Sequence, residues 1–193
     1  MATKFVSISN IVYARNPFDL DSSVRGDSKP KNSDDLKVYT SKGEGYLRKT
    51  AVKSNVDLVG KYKLSMGKVL SGHIGETDAS GQVKVIATLL PLAPNEVTTD
   101  SYLIIGAFKT KKEATNILSY FKTKLLRFLL LQSLVSMNIS RGNFRFVPLQ
   151  DFTSKSDIDW SATIPEIDRQ LYKKYNLTDD EIAFVEKMIK PME

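Results

Sequence analysis

Short alternating apolar runs occupy the first hundred residues, and a helical spacing of apolar positions replaces them at residue 110. The runs Leu36 to Tyr39, Leu58 to Leu64, Val83 to Leu90 and Tyr102 to Ile105 are rich in branched and aromatic residues and are bounded by Gly, Pro, Asn or Asp. That pattern predicts strands of one sheet. Residues 18–45 are rich in Ser, Asp, Lys and Gly with Pro30 among them, which predicts a long polar loop or arm. A second loop is expected over Ser65 to Gln82, where Gly67, Gly72, Gly75 and Gly81 let the backbone approach a ligand closely.

From Thr110 the sequence T-K-K-E supplies a capping box. Ala114, Ile117, Leu118, Phe121, Leu125, Phe128, Leu129 and Gln132 then follow at helical spacing, so one continuous helix from Lys111 to Ser136 is predicted with these on its core face. FRFVPL reads as another strand, closed by Pro148. Two short helices, Pro165 to Tyr175 and Asp179 to Ile189, close the chain, the second capped by Thr178 and Glu181. The expected class is α+β: a small mixed β-sheet packed against one long helix, residues 1–150, followed by a C-terminal helical tail, residues 151–193.

Charge sharpens this division. The net +6 of the 193 residues splits into +10 for residues 1–150 (22 Lys/Arg against 12 Asp/Glu) and −4 for 151–193 (6 against 10). A basic body points to a polyanion partner, and an acidic tail to a different surface. Cysteine is absent, which excludes disulfides and thiolate chemistry and suits a reducing cytoplasm. No apolar run approaches the roughly 18 residues of a membrane span, so no membrane partner is expected.

Catalytic and metal-binding residues are not expected. Asn16-Pro17-Phe18 is similar to the Asn/Asp-Pro-Pro-aromatic loop that grips a flipped base, but one proline is missing and no strand, glycine turn and helix follow in cofactor-binding order; a plain turn is the alternative. The Gly-rich loop lacks nucleotide-loop spacing. His73, the single histidine, has no cluster of carboxylates beside it in sequence for a metal and no nucleophile elbow to serve.

Basic residues remain as the signal. Lys61, Lys63 and Lys68 flank the Gly-rich loop, with Tyr62 expected on the opposite strand face, and Ser71 and His73 lie within the loop. Lys122, Lys124 and Arg127 lie on the long helix. Arg141, Asn143 and Arg145 alternate, so on a strand they would point together, and Arg and Asn are the side chains that read guanine and adenine edges. A solvated strand face is the alternative for that trio.

Four blocks, Thr99 to Phe108, KTKLLRFLL, FVPLQDF and LYKKYNLTDDEIAFVEKMIKPM, resemble in order the C-terminal region of bacterial type II restriction-modification adenine-N6 DNA methyltransferases, some of which also cleave DNA. YARNPFDL resembles the segment that introduces the same region, with Asp19 where the family usually has Gly. The resemblance implies a target-recognition domain that binds double-stranded DNA, partnered in cis or in trans by a methyltransferase catalytic domain. That domain would carry S-adenosylmethionine; no cofactor is expected in this chain. The resemblance also implies that Asn16 lies beyond the catalytic domain and is not the methyl-transfer residue, and that the chain is a fragment or a split specificity subunit. A nuclease of the same systems and a protein-interaction domain are the alternative readings.

Overall fold

The computed structural model describes residues 5–13, 16–69, 76–136 and 138–192. The chain divides into two units that interleave in sequence. A sheet unit comprises Ile11–Lys68 and Thr88–Ala114, and a helical unit comprises Met1–Asn10, Val69–Ala87 and Thr115–Glu193. The polypeptide therefore passes from one unit to the other four times, and neither unit coincides with the expected 1–150 and 151–193 division.

The sheet unit contains two three-stranded sheets rather than one. In the first, β1 (Leu36–Thr40) lies between β2 (Gly43–Leu47), antiparallel to it, and β5 (Glu96–Thr98), parallel to it, so this sheet is mixed. In the second, β3 (Tyr62–Gly67) lies between β4 (Leu89–Leu92) and β6 (Tyr102–Phe108), all antiparallel. Pro91 sits in β4, an edge strand, where a missing backbone donor is tolerated. Phe18, Leu36, Val38, Leu58, Val97 and Ile104 form one buried cluster that both sheets share.

Three expectations change here. Residues 43–45, placed in the polar arm, begin β2, because the two-residue turn Ser41-Lys42 closes a hairpin in which Thr40 pairs with Gly43. The expected strand Leu58 to Leu64 starts later: Asn55 adopts a left-handed conformation (φ 49°) and a 3-10 turn occupies Val56–Leu58. Val83 to Leu90 forms a regular strand only at its end, in β4.

The helical unit is built on α2 (Lys124–Leu131), α3 (Ile164–Lys174), α4 (Asp179–Met188) and most of α1 (Lys111–Lys122). The single helix expected over 111–136 is broken at Thr123, which turns extended (φ −66°, ψ 149°) and caps α2 by accepting from the Leu126 N–H. The break resets the buried face. Ile117, Phe121 and Leu125 are buried as expected, but Tyr120, Leu126 and Leu130 join them, while Leu118, Phe128 and Leu129 are only half-buried and Gln132 is exposed. Tyr120 anchors an aromatic cluster with Phe152 and Trp160, its ring centroid 6.0 and 5.8 Å from theirs. Its hydroxyl donates to the Pro148 carbonyl at 2.8 Å. FRFVPL is no strand: a 3-10 helix spans Arg141–Phe144, and only an isolated bridge pairs Pro148 with Ser7.

Candidate nucleic-acid interface

The Asn16-Pro17-Phe18 segment is a turn. Asn16 is left-handed (φ 55°), and its Oδ1 accepts from the Leu20 N–H at 2.7 Å, which occupies the acceptor that a base amine would need. Phe18 is fully buried in the shared core, and the Pro17 carbonyl accepts from Asn55 Nδ2 at 2.6 Å.

Lys63 is a correction to the expected phosphate contacts. It lies on the central strand of its sheet and is fully buried; Nζ donates to the Lys61 carbonyl at 2.6 Å and the Leu58 carbonyl at 3.0 Å. These carbonyls end the 3-10 turn and the loop after it, so the ammonium satisfies acceptors that no strand reaches. Burial pushes it down to about 8, against the pull of the Glu96 charge. The alternation argument for Lys61, Tyr62 and Lys63 fails for two reasons: Lys61 precedes the strand, and the register shifts between Lys63 and Leu64. Lys61 is half-buried and pairs with Asp57 at 3.0 Å, and half-buried Lys68 donates its backbone N–H to Ser101. Ser71 and His73 lie outside the described residues.

Arg127 is likewise internal. Its Nε donates to the Thr123 carbonyl at 3.0 Å, Nη2 to the Lys122 carbonyl at 2.9 Å and Nη1 to the Lys190 carbonyl. The guanidinium thus closes the end of α1, across the break at Thr123, and ties the chain after α4 to it. Burial lowers it to about 10. Lys124 donates to Glu186 Oε2 at 2.6 Å and to the Glu186 carbonyl at 3.0 Å. Beside them the buried Asp168 accepts from the backbone N–H groups of Lys124 and Leu125 at 2.9 and 3.0 Å. Burial raises its carboxyl to about 6 despite those two donors. Of the three expected helix cations, Lys122 alone is half-buried with no ion pair among the described residues.

Arg141, Asn143 and Arg145 do not converge, because a 3-10 helix replaces the strand alternation. Asn143 is buried: its Oδ1 accepts from the Ser140 N–H at 2.8 Å and its Nδ2 donates to the Ser133 carbonyl at 2.8 Å. Arg141 is exposed and donates through Nε to the Ser9 carbonyl at 2.8 Å. Arg145, also exposed, lies over the Phe146 ring, 4.6 Å from its centroid.

The exposed cations concentrate elsewhere. Among the described residues the sheet unit holds 14 Lys/Arg against 10 Asp/Glu, an excess of 4, whereas the helical unit holds 12 against 11. Arg48, Lys49 and Lys53, in the segment after β2, are all exposed, as are Lys109 and Lys112 at the start of α1. None of the five makes an ion pair among the described residues. Sequence reasoning passed over them, although R-K-T-A-V-K at 48–53 is a compact basic run.

No protein-family model matches this chain, and no curated protein matches it. Among the described residues no group of three or more His, Cys, Asp or Glu is placed to hold a metal ion, and no helix is long and apolar enough to cross a membrane.

Proposed function

We propose that this chain is the DNA target-recognition part of a bacterial restriction-modification adenine-N6 methyltransferase. In this reading it binds double-stranded DNA in the cytoplasm and presents it to a catalytic domain, in cis or in trans, that carries S-adenosylmethionine. The carrying observation is the positive excess of the sheet unit among the described residues, with the exposed cations Arg48, Lys49, Lys53, Lys109 and Lys112, which make no ion pair among those residues. Such side chains suit phosphate neutralisation, which sets affinity and register, while base contacts set specificity. The four ordered sequence blocks support the family assignment.

Fluorescence anisotropy with labelled duplexes over a salt series tests the reading, followed by selection from a randomised duplex pool. Affinity should fall steeply with salt for every duplex, and selection should converge on one motif. A chain that binds no duplex at low salt, or a pool that never converges, would overturn it.

A further inference from the structure

Among its described residues the helical unit leaves an apolar groove open between α2 and α4. Phe184 on α4 is 53% exposed and stands between two hollows of about 450 and 490 Å³. Phe128 and Leu129 of α2, with Leu177, line the first; Leu131 and Met188 line the second. The Phe128 and Phe184 rings meet edge to face, centroids 5.9 Å apart at 89°, so a firm aromatic ridge divides the floor. Apolar surface of this kind, rimmed by charge, marks a site where another apolar surface docks.

The charges at its ends say what chemistry fits. Asp180 borders the first hollow and Lys187 the second; both are exposed and make no ion pair among the described residues. With Phe184 they fall at i, i+4 and i+7 on α4, one stripe about 10 Å long. Glu181 also borders the first hollow, but its carboxylate already caps α4 through Thr178. The groove thus presents a negative end, an apolar middle and a positive end, over the length of two helical turns.

We propose that this groove is the docking site for an amphipathic helix of a partner protein, lying antiparallel to α4. A helix favours acidic residues in its first turn and basic residues in its last. Antiparallel placement puts the basic last turn beside Asp180 and the acidic first turn beside Lys187, while apolar residues at i, i+4 and i+7 fill the hollows on either side of Phe184.

The probe is a fluorescent peptide of about 14 residues, with Leu or Phe at those spacings, Glu in its first turn and Arg in its last. A second peptide has the charges exchanged end for end. The first should bind the full chain saturably and at least about tenfold more tightly than the second. Phe184→Asp should abolish binding, and Asp180→Lys combined with Lys187→Glu should reverse the preference between peptides. Circular dichroism melts check that each variant is folded; were Phe184→Asp unfolded, the charge-exchange pair still decides. Three outcomes would overturn the proposal: no saturable binding up to about 1 mM, equal affinity for both peptides, or a reversible dimer in sedimentation that Phe184→Asp abolishes, which would assign the groove to a second copy. No DNA enters this assay, so its failure leaves the DNA reading standing, and failure of the duplex assay leaves the groove standing.

Discussion

Asp168 on α3 holds the first turn of α2 through Leu125, whose backbone N–H lies 3.0 Å from its carboxylate. With the Lys124 N–H at 2.9 Å, it satisfies two of the donors that a helix start leaves open. Asp168→Ala is expected to destabilise the fold by about 2 to 4 kcal/mol. The folded chain holds the Asp168 proton more tightly than the unfolded chain, because the carboxyl is raised from 3.8 to about 6. Its contribution is therefore fully present below pH 3.8 and is lost as pH rises to about 6, roughly 3 kcal/mol in total. Asp168→Asn should remove that dependence. Urea unfolding of both proteins at about pH 4 and about pH 7 checks it, and an unchanged difference between them contradicts it.

Lys63 titrates in the other direction. Its ammonium is lowered from 10.5 to about 8 in the folded chain, so the unfolded chain binds the extra proton between those values. Stability from this group is expected to rise with pH across that window. Lys63→Met removes the donor to the Lys61 carbonyl and one of the two donors to the Leu58 carbonyl, which also accepts from the Lys61 N–H, and should cost about 1 to 3 kcal/mol near neutral pH. Denaturant titrations from about pH 7 to about pH 10.5 test both statements, and a flat wild-type profile speaks against the carbonyl cage.

Exchanging Arg48, Lys49 and Lys53 together for Ala should weaken binding to all duplexes alike and flatten the slope of log affinity against log salt by about 2 to 3 units. Lys63→Met should leave that slope unchanged, since its ammonium is buried. If the triple variant keeps the wild-type slope while Lys63→Met loses it, the assigned surface is wrong.

Gly45 is required for a close approach. A Cβ there would collide with the carbonyl oxygen of Arg25, a backbone atom. The neighbouring Asp27 and Tyr46 exchange backbone hydrogen bonds of 2.7 and 2.8 Å that tie the polar segment to β2. Gly45→Ala is expected to break this tie, lower the melting temperature and expose residues 22–34 to proteolysis. Limited trypsin digestion after Arg25 and Lys31 reports it; an unaltered digestion rate would count against the contact.

Helices α3 and α4 were legible in the sequence because their caps are local: Thr178 and Glu181 satisfy each other within four residues. The break at Thr123 was not legible. The apolar spacing runs on through it, and position N3 of α2 is Leu126, so no local acid announces a helix start. The carboxylate that a capping box would carry arrives instead from Asp168, 44 residues away. Lys63 and Arg127 were misread for the same reason. A cation in a strand or helix reads as surface, and here the carbonyls that hold it belong to neighbouring turns and, for Arg127, to Lys190 at the end of the chain. The α+β class survived these errors because alternation and helical spacing are properties of each segment alone.

The fourfold passage of the chain between its units sets an order in time. The sheet unit possesses all its residues once Ala114 has been synthesised. The helical unit begins with Ser7 and Ile8, which await Phe144, Val147 and Pro148, and it closes only when Ile189 pairs with Val83. On the ribosome the sheet unit is therefore free to fold first, while residues 5–10 wait through most of translation for their partners. Such long-range closure is slow, and the pairing of Ile189 with Val83 is the step for which the helical unit waits longest.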